Sequence, residues 1–292
     1  MTTFDTPDPI SVDVELGVGD LRIEASDRTK TTVEVRPSDP DNKADVTAAE
    51  QTHVEYANGH LLVKAPSGWR QWMSHREGES IDVAIGLPEG SSVHVEAGVV
   101  AVHGRGRLGE SRCRVGVGEI RLDETGALNL KTGAGDITVE RATGKAEIVT
   151  GTGAVRIGGI DGTAAVKNSN GDTWVGEISG AARVSAANGS ISVDRVHEGI
   201  VAKTAKGDVR IGEVAQGAVV AQTAFGQIDV GVLDGVAAWL DLETKFGNVH
   251  NDLDDAESPG AGTAMVEVRA STSFGDIEIH RSLSTASGRD AS

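Results

Sequence analysis

Cysteine and aromatic residues are scarce in this chain. Cys113 is the single cysteine, and aromatic residues make up 3% of the sequence. One thiol cannot form an internal disulfide framework or a cysteine-rich metal site. The alternating run 111–115 predicts that Cys113 is a small strand residue; the alternative is a reactive thiol beside Arg112 and Arg114. Few aromatic residues together with 38 glycines predict a thin core of small side chains.

An excess of positive charge and long apolar runs are also missing. The formal net charge is −17, from 44 acidic and 27 basic residues. Nucleic acid and anionic membrane surfaces would repel such a chain, so neither is expected as its main partner. No stretch approaches the roughly 18 apolar residues of a membrane span, and the N-terminus lacks the pattern of a signal peptide. We therefore expect a cytoplasmic protein.

The feature that is abundant is a repeated phrase, seen as Thr-Gly-Ala-Gly-Asp-Ile-Thr-Val at 132–139 and Thr-Ala-Lys-Gly-Asp-Val-Arg-Ile at 204–211. The spacing between equivalent glycines is mostly 18 residues and lengthens to 28 at the last copy. Such a constant period indicates a repeat architecture. These glycines are Gly98, Gly118, Gly135, Gly153, Gly171, Gly189, Gly207, Gly226, Gly247 and Gly275.

In each copy the apolar residues occupy every second position, so that they share one parity when counted from the glycine. This alternation is typical of strands with one buried face. Ile137 and Val139 follow Gly135 in this way, and Leu130 precedes it. Two topologies fit: a parallel β-solenoid, or an antiparallel meander in which each glycine turn is a hairpin. The same residue type recurs at the same place in successive copies, which favours coil stacked on coil. The predicted fold is therefore all-β, a single-stranded β-solenoid with coils of about 18 residues and an irregular β N-terminal region.

The chain divides into three predicted segments. Residues 1–97 form an N-terminal strand region continuous with the solenoid, with a loop at Ser38–Asp45 and a hairpin turn at Asn58-Gly59. Residues 98–280 form the solenoid repeats, and 281–292 a disordered tail. Within the first segment, residues 66–79 break the strand pattern and contain two of the four tryptophans. We expect this segment to cap one end of the core.

Two columns of the repeat could be functional surfaces. Threonine recurs three residues before most of the glycines, and a row of threonines suggests an ice-binding face. These threonines, however, share the parity of the apolar residues, so they are expected to face the core and not the solvent. We therefore predict an inward hydroxyl ladder that bonds turn backbone groups. Phe225, Phe246 and Phe274 precede the late glycines and predict an aromatic stack. Tryptophan, methionine and arginine are enriched at interface centres, so the candidate partner surface is Trp69, Trp72, Met73, Phe225, Phe246 and Phe274.

Motifs for catalysis are not evident. The chain has no Walker-type phosphate loop and no Gly-x-Ser-x-Gly elbow. The aspartates that follow the glycines (Asp136, Asp172, Asp208 and Asp276) are replaced by Ala, Ser, Gln or Asn in other copies, which indicates a turn requirement.

The eight histidines are scattered, although His94 and His103, or His250 and His280, could approach each other across strands. We expect no catalytic, metal or cofactor site, and a solvated acidic loop at 251–260.

The phrase [Thr/Ser]-x-x-Gly-[Asp/Asn/Ser]-[Ile/Val]-x-[Val/Ile], repeated over about residues 10–280, resembles the bacterial "putative adhesin" β-strand-repeat family, a domain of unknown function. The resemblance implies the architecture and transfers no catalytic residue. We expect a non-enzymatic scaffold or protein-interaction module whose protein partner is unknown. The alternatives are a polymerising structural protein like the bactofilins, with self-association through the solenoid ends, and a carbohydrate-active enzyme or an adhesin.

Overall fold

The computed structural model describes residues 1–66, 79–253 and 265–282. The chain forms two compact units, 1–171 and 172–292. In each unit, parallel strands stack coil on coil, and the predicted all-β solenoid is confirmed. In unit 1 the register places Leu128 beside Ala146 and Ile137 beside Val155, which is one coil per 18 residues. None of the helices described has the length and apolar character that a bilayer span needs.

The described elements of unit 1 are β1 (Thr2–Asp5), β2 (Ser11–Ser26), β3 (Lys30–Pro37), α1 (Lys43–Gln51), β4 (His53–Ala57), β5 (His60–Lys64), β6 (Ser80–Pro88), β7 (Ser92–Arg107), β8 (Ser111–Val117), β9 (Ile120–Thr125), β10 (Leu128–Ala134), β11 (Ile137–Ala142), β12 (Ala146–Thr152), β13 (Val155–Ile160) and β14 (Ala164–Asn170).

The described elements of unit 2 are β15 (Thr173–Ile178), β16 (Ala182–Asn188), β17 (Ile191–Val196), β18 (Ile200–Lys203), β19 (Val209–Val214), β20 (Gly217–Phe225), β21 (Ile228–Val232), β22 (Ala237–Phe246), β23 (Val249–Asn251), β24 (Met265–Phe274) and β25 (Ile277–Arg281).

The core is a set of inward columns filled by aliphatic side chains. Leu130, Ile148 and Val166 stack in one column of unit 1, and each is fully buried. Like side chains lie on like because the parallel register brings the same position of successive copies together. Each such buried aliphatic side chain contributes about 1.5–3 kcal/mol. Each copy of the sequence repeat therefore adds one equivalent layer of side chains to the core.

The glycine between the two strands of a coil permits a close approach of backbones. Gly135 has φ 140°, and a Cβ at this residue would lie 2.1 Å from the carbonyl oxygen of Gly118 in the preceding coil. A side chain would be excluded there by both the backbone conformation and the contact. This requirement explains why glycine recurs at this point of the period. The prediction that Gly98 is one of these glycines is wrong, because the carbonyl oxygen that faces Gly118 belongs to Val100.

The threonine row faces inward, as its parity predicts. The hydroxyls of Thr204 and Thr223 donate to the carbonyl oxygens of Gly189 and Gly207, at 3.0 and 2.9 Å. The predicted ladder to turn backbone groups is confirmed at these positions. It is wrong at Thr132 and Thr150, whose buried hydroxyls have no hydrogen-bond partner. Six members of the row are buried and offer no surface to ice: Thr132, Thr150, Asn168, Thr204, Thr223 and Thr272.

The N-terminal region adds strands on one side of the stack. β2 is parallel to β7 on one side and to β5 and β6 on the other. Beyond these, β3 pairs antiparallel with β6, and β4 with β5. The β4–β5 hairpin turns at Asn58-Gly59, as predicted, with φ 51° and 77°.

One predicted loop is partly wrong. The stretch Ser38–Asp45 ends inside α1, which begins at Lys43. The Asn42 side chain accepts a hydrogen bond from the Ala44 N–H at 2.9 Å and caps the helix. The proposed cap segment 66–79 lies, apart from its two end residues, outside the described residues, and so do the tail beyond residue 282 and most of the acidic loop.

Candidate interaction surface at the edge of unit 2

The last coils of unit 2 do not stack in sequence order. β24 pairs with β20 on one side and with β22 on the other, and β25 lies in the same way between β21 and β23. The coil formed by residues 265–281 is therefore inserted before the coil formed by 237–251. As a consequence, β22 and β23 form the outermost coil of unit 2, and among the described residues no strand pairs with their other side.

Two hydrogen bonds between turns, outside the strand ladders, confirm this spatial order of the coils. The Asp276 carboxylate accepts a hydrogen bond from the Asn248 N–H at 2.7 Å. The Gly226 N–H donates to the Phe274 carbonyl oxygen at 2.9 Å. Each turn thus bonds to the turn of its neighbour in space, so that the coil of 265–281 contacts both the coil before it and the coil after it.

The outermost coil leaves its inward residues incompletely covered. Leu240 and Leu242 of β22 are half-buried, although their partners Val268 and Ala270 on β24 are buried. On β23, Val249 is 44% exposed beside fully buried Ile277. Residues that complete the core elsewhere in unit 2 therefore form an apolar surface here.

The backbone of β22 offers unpaired groups along the same edge. In unit 2, inward residues direct their N–H groups to the following coil: Ile191 donates to Asp208 at 2.8 Å and Val209 to Gln227 at 2.9 Å. Leu240 and Leu242 have the same inward parity. Their N–H and carbonyl groups consequently point away from β24, toward the position of an additional strand. An edge of this kind is a template for pairing with another chain.

Exposed apolar side chains concentrate at this edge. Ten large apolar side chains of the described residues are exposed, and six of them lie on β20, β22, β23 and β24. Clusters of exposed apolar side chains are typical of interaction sites. The six side chains, with their exposed fractions, are Phe225 (55%), Trp239 (49%), Phe246 (65%), Val249 (44%), Met265 (53%) and Phe274 (46%).

The three phenylalanines form the predicted stack, in the order of the coils in space. The Phe274 ring lies between the other two, with ring centroids 5.0 Å from Phe225 and 4.8 Å from Phe246. The planes are inclined by 1° and 9°. Since all three remain about half exposed, the stack is a surface feature and not part of the core.

The outer face of β22 carries a net negative row. Asp241, Glu243 and Lys245 alternate with the inward residues and are exposed. Arg269 on β24 lies beside Asp241 in the register but binds Glu267, with the nitrogen and oxygen atoms 2.6 Å apart. It also lies over the Trp239 ring, 5.8 Å from the centroid. A strand added to this edge would meet leucines on one face and carboxylates on the other.

The structure brings together half of the residues predicted as a partner surface. Phe225, Phe246 and Phe274 meet at the edge of unit 2, whereas Trp69, Trp72 and Met73 lie outside the described residues. Sequence reasoning missed Trp239, Leu240 and Met265. One signal could have found them. Asn251 occupies an inner column that is otherwise Val, Ile or Leu, and a polar residue in such a column is typical of a coil that is covered on one side alone.

The groups that might have suggested an enzyme have structural partners. Asp136, Asp172 and Asp208 accept hydrogen bonds at 2.7–2.9 Å from backbone N–H groups in the next coil. This confirms a turn role for that column. Burial raises the pKa of the Cys113 thiol to about 12, so the alternative of an activated thiol is wrong.

The histidines that the structure describes are spread along several strands and do not gather at one place. His94 contacts Asp13 at 3.0 Å, while His103 lies nine residues along the same strand. His280 contacts Asp229 at 2.8 Å, and His250 lies beside Glu278. Burial alone would lower the pKa of His280, but hydrogen bonds to the Arg281 carbonyl and the Asp229 carboxylate raise it overall. In the described ranges, no group of three His, Cys, Asp or Glu side chains could hold a metal ion.

Comparison with known proteins gives one family. The family model described as Toastrack DUF4097 matches residues 8–280. None of the curated proteins matches this sequence.

The solved structures that are similar to this chain include the following three. A "putative cell adhesion protein" of Clostridium sporogenes has 13% identity over 96% of this chain and 98% of its own, with a TM-score of 0.23. A "putative adhesin" of Parabacteroides merdae has 13% identity over 78% and 94%, with a TM-score of 0.42. A "putative adhesin" of Bacteroides fragilis has 12% identity over 95% of each chain, with a TM-score of 0.36. At these TM-scores the likenesses support no functional inference.

Proposed function

The chain belongs to the Toastrack DUF4097 family, and we propose that it is a non-enzymatic protein-interaction module that binds an extended segment of a partner protein at the edge strand β22. The observation that carries this proposal is the outermost coil, with its unpaired backbone and half-buried leucines. Strand addition to an exposed sheet edge is a general mode of peptide recognition, in which main-chain hydrogen bonds give affinity and side-chain contacts give specificity.

The edge also defines the chemistry of the partner segment. Its inner face would cover Leu240 and Leu242, so alternate residues of the segment are apolar. Its outer face would lie beside Asp241 and Glu243, so the intervening residues are Lys or Arg. A second copy of this chain fits less well, because two molecules of net charge −17 repel each other.

The proposal is tested by affinity capture from extracts of the native host, with wild type and two charge variants compared quantitatively. Glu243→Lys reverses a carboxylate at the edge. Asp194→Lys makes the same charge change at an exposed residue of β17, away from the edge, and removes one hydrogen bond from the Trp174 indole N–H. We expect the captured partner to be reduced at least tenfold by Glu243→Lys and to change less than twofold with Asp194→Lys. Equal capture by all three proteins would contradict the proposal.

A backbone variant separates strand addition from simple charge attraction. Leu242→Pro removes an N–H that points to the free edge and leaves the ladder with β24 in place, because proline is tolerated where the N–H faces away from the sheet. We expect this variant to unfold within a few degrees of wild type and to lose capture. Retained capture would show that the partner does not pair with β22.

A further inference from the structure

A trough crosses the outer face of unit 1 above β6. Ala84 and Gly86 of β6 face outward there, and their small size leaves the floor open. Neighbouring β3 supplies Thr32 and Glu34 as one wall. The opposite wall comes from β2 and β7 and consists of Arg22, Glu24, His103 and Arg105. The trough has a volume of about 570 Å³, which is within the usual range for small-molecule sites.

Gly86 allows an arginine to lie across the floor. A Cβ at residue 86 would be 1.8 Å from Nη1 of Arg28 and 2.7 Å from the Thr32 hydroxyl. The guanidinium of Arg28 therefore occupies the space that any larger residue would fill. Its Nε donates to the Ser26 hydroxyl at 2.8 Å. This arginine is held in place before any ligand arrives.

The charges in the trough are not balanced. Glu24 lies 3.4 Å from the Arg28 guanidinium, and Glu34 pairs with Arg36 at 2.7 Å. Among the residues that the structure describes, the side chains of Arg22 and Arg105 form no ion pair or hydrogen bond. They come from adjacent strands two positions apart in register, so their Cα atoms are roughly 8 Å apart. The trough therefore holds three arginines and two glutamates, an excess of positive charge in a chain of net charge −17.

We propose that this trough binds a phosphate monoester of a small hydroxyl-bearing molecule, of which a sugar phosphate is the simplest example. The planar guanidinium groups of Arg22 and Arg105 match the oxygens of a dianionic phosphate. The carboxylate of Glu34 and the hydroxyl of Thr32 accept hydrogen bonds from hydroxyl groups on the rest of the ligand. The site lies on unit 1 and does not depend on the function proposed for β22.

The test is isothermal titration calorimetry at 0.15 M salt with glucose 6-phosphate, inorganic phosphate and glucose as probes. We expect glucose 6-phosphate to bind, inorganic phosphate to bind at least fivefold more weakly, and glucose not to bind. Equal affinity for the first two would overturn the assigned ligand class and leave a free oxyanion site. No heat of binding with either phosphate would overturn the site itself.

Variants locate the binding. Arg22→Ala and Arg105→Ala should each weaken glucose 6-phosphate binding at least tenfold, and Gly86→Ala should weaken it by displacing Arg28. Arg121→Ala is the matched control, because Arg121 is exposed on the same face of unit 1 and binds Glu119. All four should keep the thermal midpoint of wild type within a few degrees. Equal losses in Arg121→Ala and Arg105→Ala would contradict the assignment.

Discussion

At single residues, the close contacts of the repeat make specific demands. Gly153 has φ 143°, and a Cβ added at this residue would lie 2.1 Å from the Gly135 carbonyl oxygen. We expect Gly153→Ala to lower the free energy of unfolding by about 2–4 kcal/mol, through backbone strain and a clash that backbone atoms cannot relieve. Urea denaturation measures this change. Gly159→Ala is the control, because its Cβ would meet a single atom, Nη1 of Arg141, at 3.9 Å; a similar loss in both variants would contradict the explanation.

Cys113 makes a pH-dependent contribution to stability. Its pKa is about 12 in the folded chain and about 8.5 in an unfolded one, because burial disfavours the thiolate. The stabilisation is fully present below about pH 8.5 and is lost as pH rises toward 12. Relative to Cys113→Ala, wild type should lose about 2 kcal/mol between pH 8 and pH 10. A difference between the two proteins that is constant over this range, measured by denaturation, would contradict the buried neutral thiol.

Side-chain parity is the part of the structure that the sequence predicts best. The inward threonines, the aliphatic columns and the aspartates at the turns all follow from a period of two within strands and of about 18 between coils. The unpartnered hydroxyls of Thr132 and Thr150 were not predictable. Whether a hydroxyl reaches a carbonyl depends on distances of a few tenths of an ångström, which parity does not determine.

At the level of whole elements, the order of the last coils can be tested by disulfide cross-linking. Adjacent parallel strands are about 4.8 Å apart, within the Cα range of a disulfide, whereas strands two apart are not. In a Cys113→Ala background, cysteines at 225 and 274 should cross-link, and so should cysteines at 246 and 274. The pair at 225 and 246 is the control and should stay reduced. Efficient cross-linking of 225 with 246 would show that the coils stack in sequence order.

The sequence does not determine this order, and the reason is physical. Every copy of the repeat has the same inward columns, so any coil can stack on any other with a satisfactory core. The long connection between residues 251 and 265 permits the insertion but does not require it. The candidate surface depends on which coil is outermost, and for this reason Phe225, Phe246 and Phe274 were predicted while Leu240 and Trp239 were not.

For the whole molecule, function is expected where the repeat ends. Within the stack, the backbone and the inward side chains of each coil are covered by its neighbours, and the edge of β22 is where that cover stops. The described outer strands of unit 1, β1 and β4, are short, with four and five residues, which is how proteins limit pairing at sheet edges. β22 has ten residues and provides a longer template.

The most direct measurement is amide hydrogen exchange of β22 in the free chain and in complex with the partner obtained by affinity capture. The amides of Leu240 and Leu242 point to the unpaired edge, so they should exchange rapidly in the free chain. Strand addition places them in hydrogen bonds, and we expect their exchange to slow at least a hundredfold in the complex, while Val268 on β24 stays protected in both states. Unchanged exchange at Leu240 and Leu242, with new protection elsewhere, would contradict binding at β22.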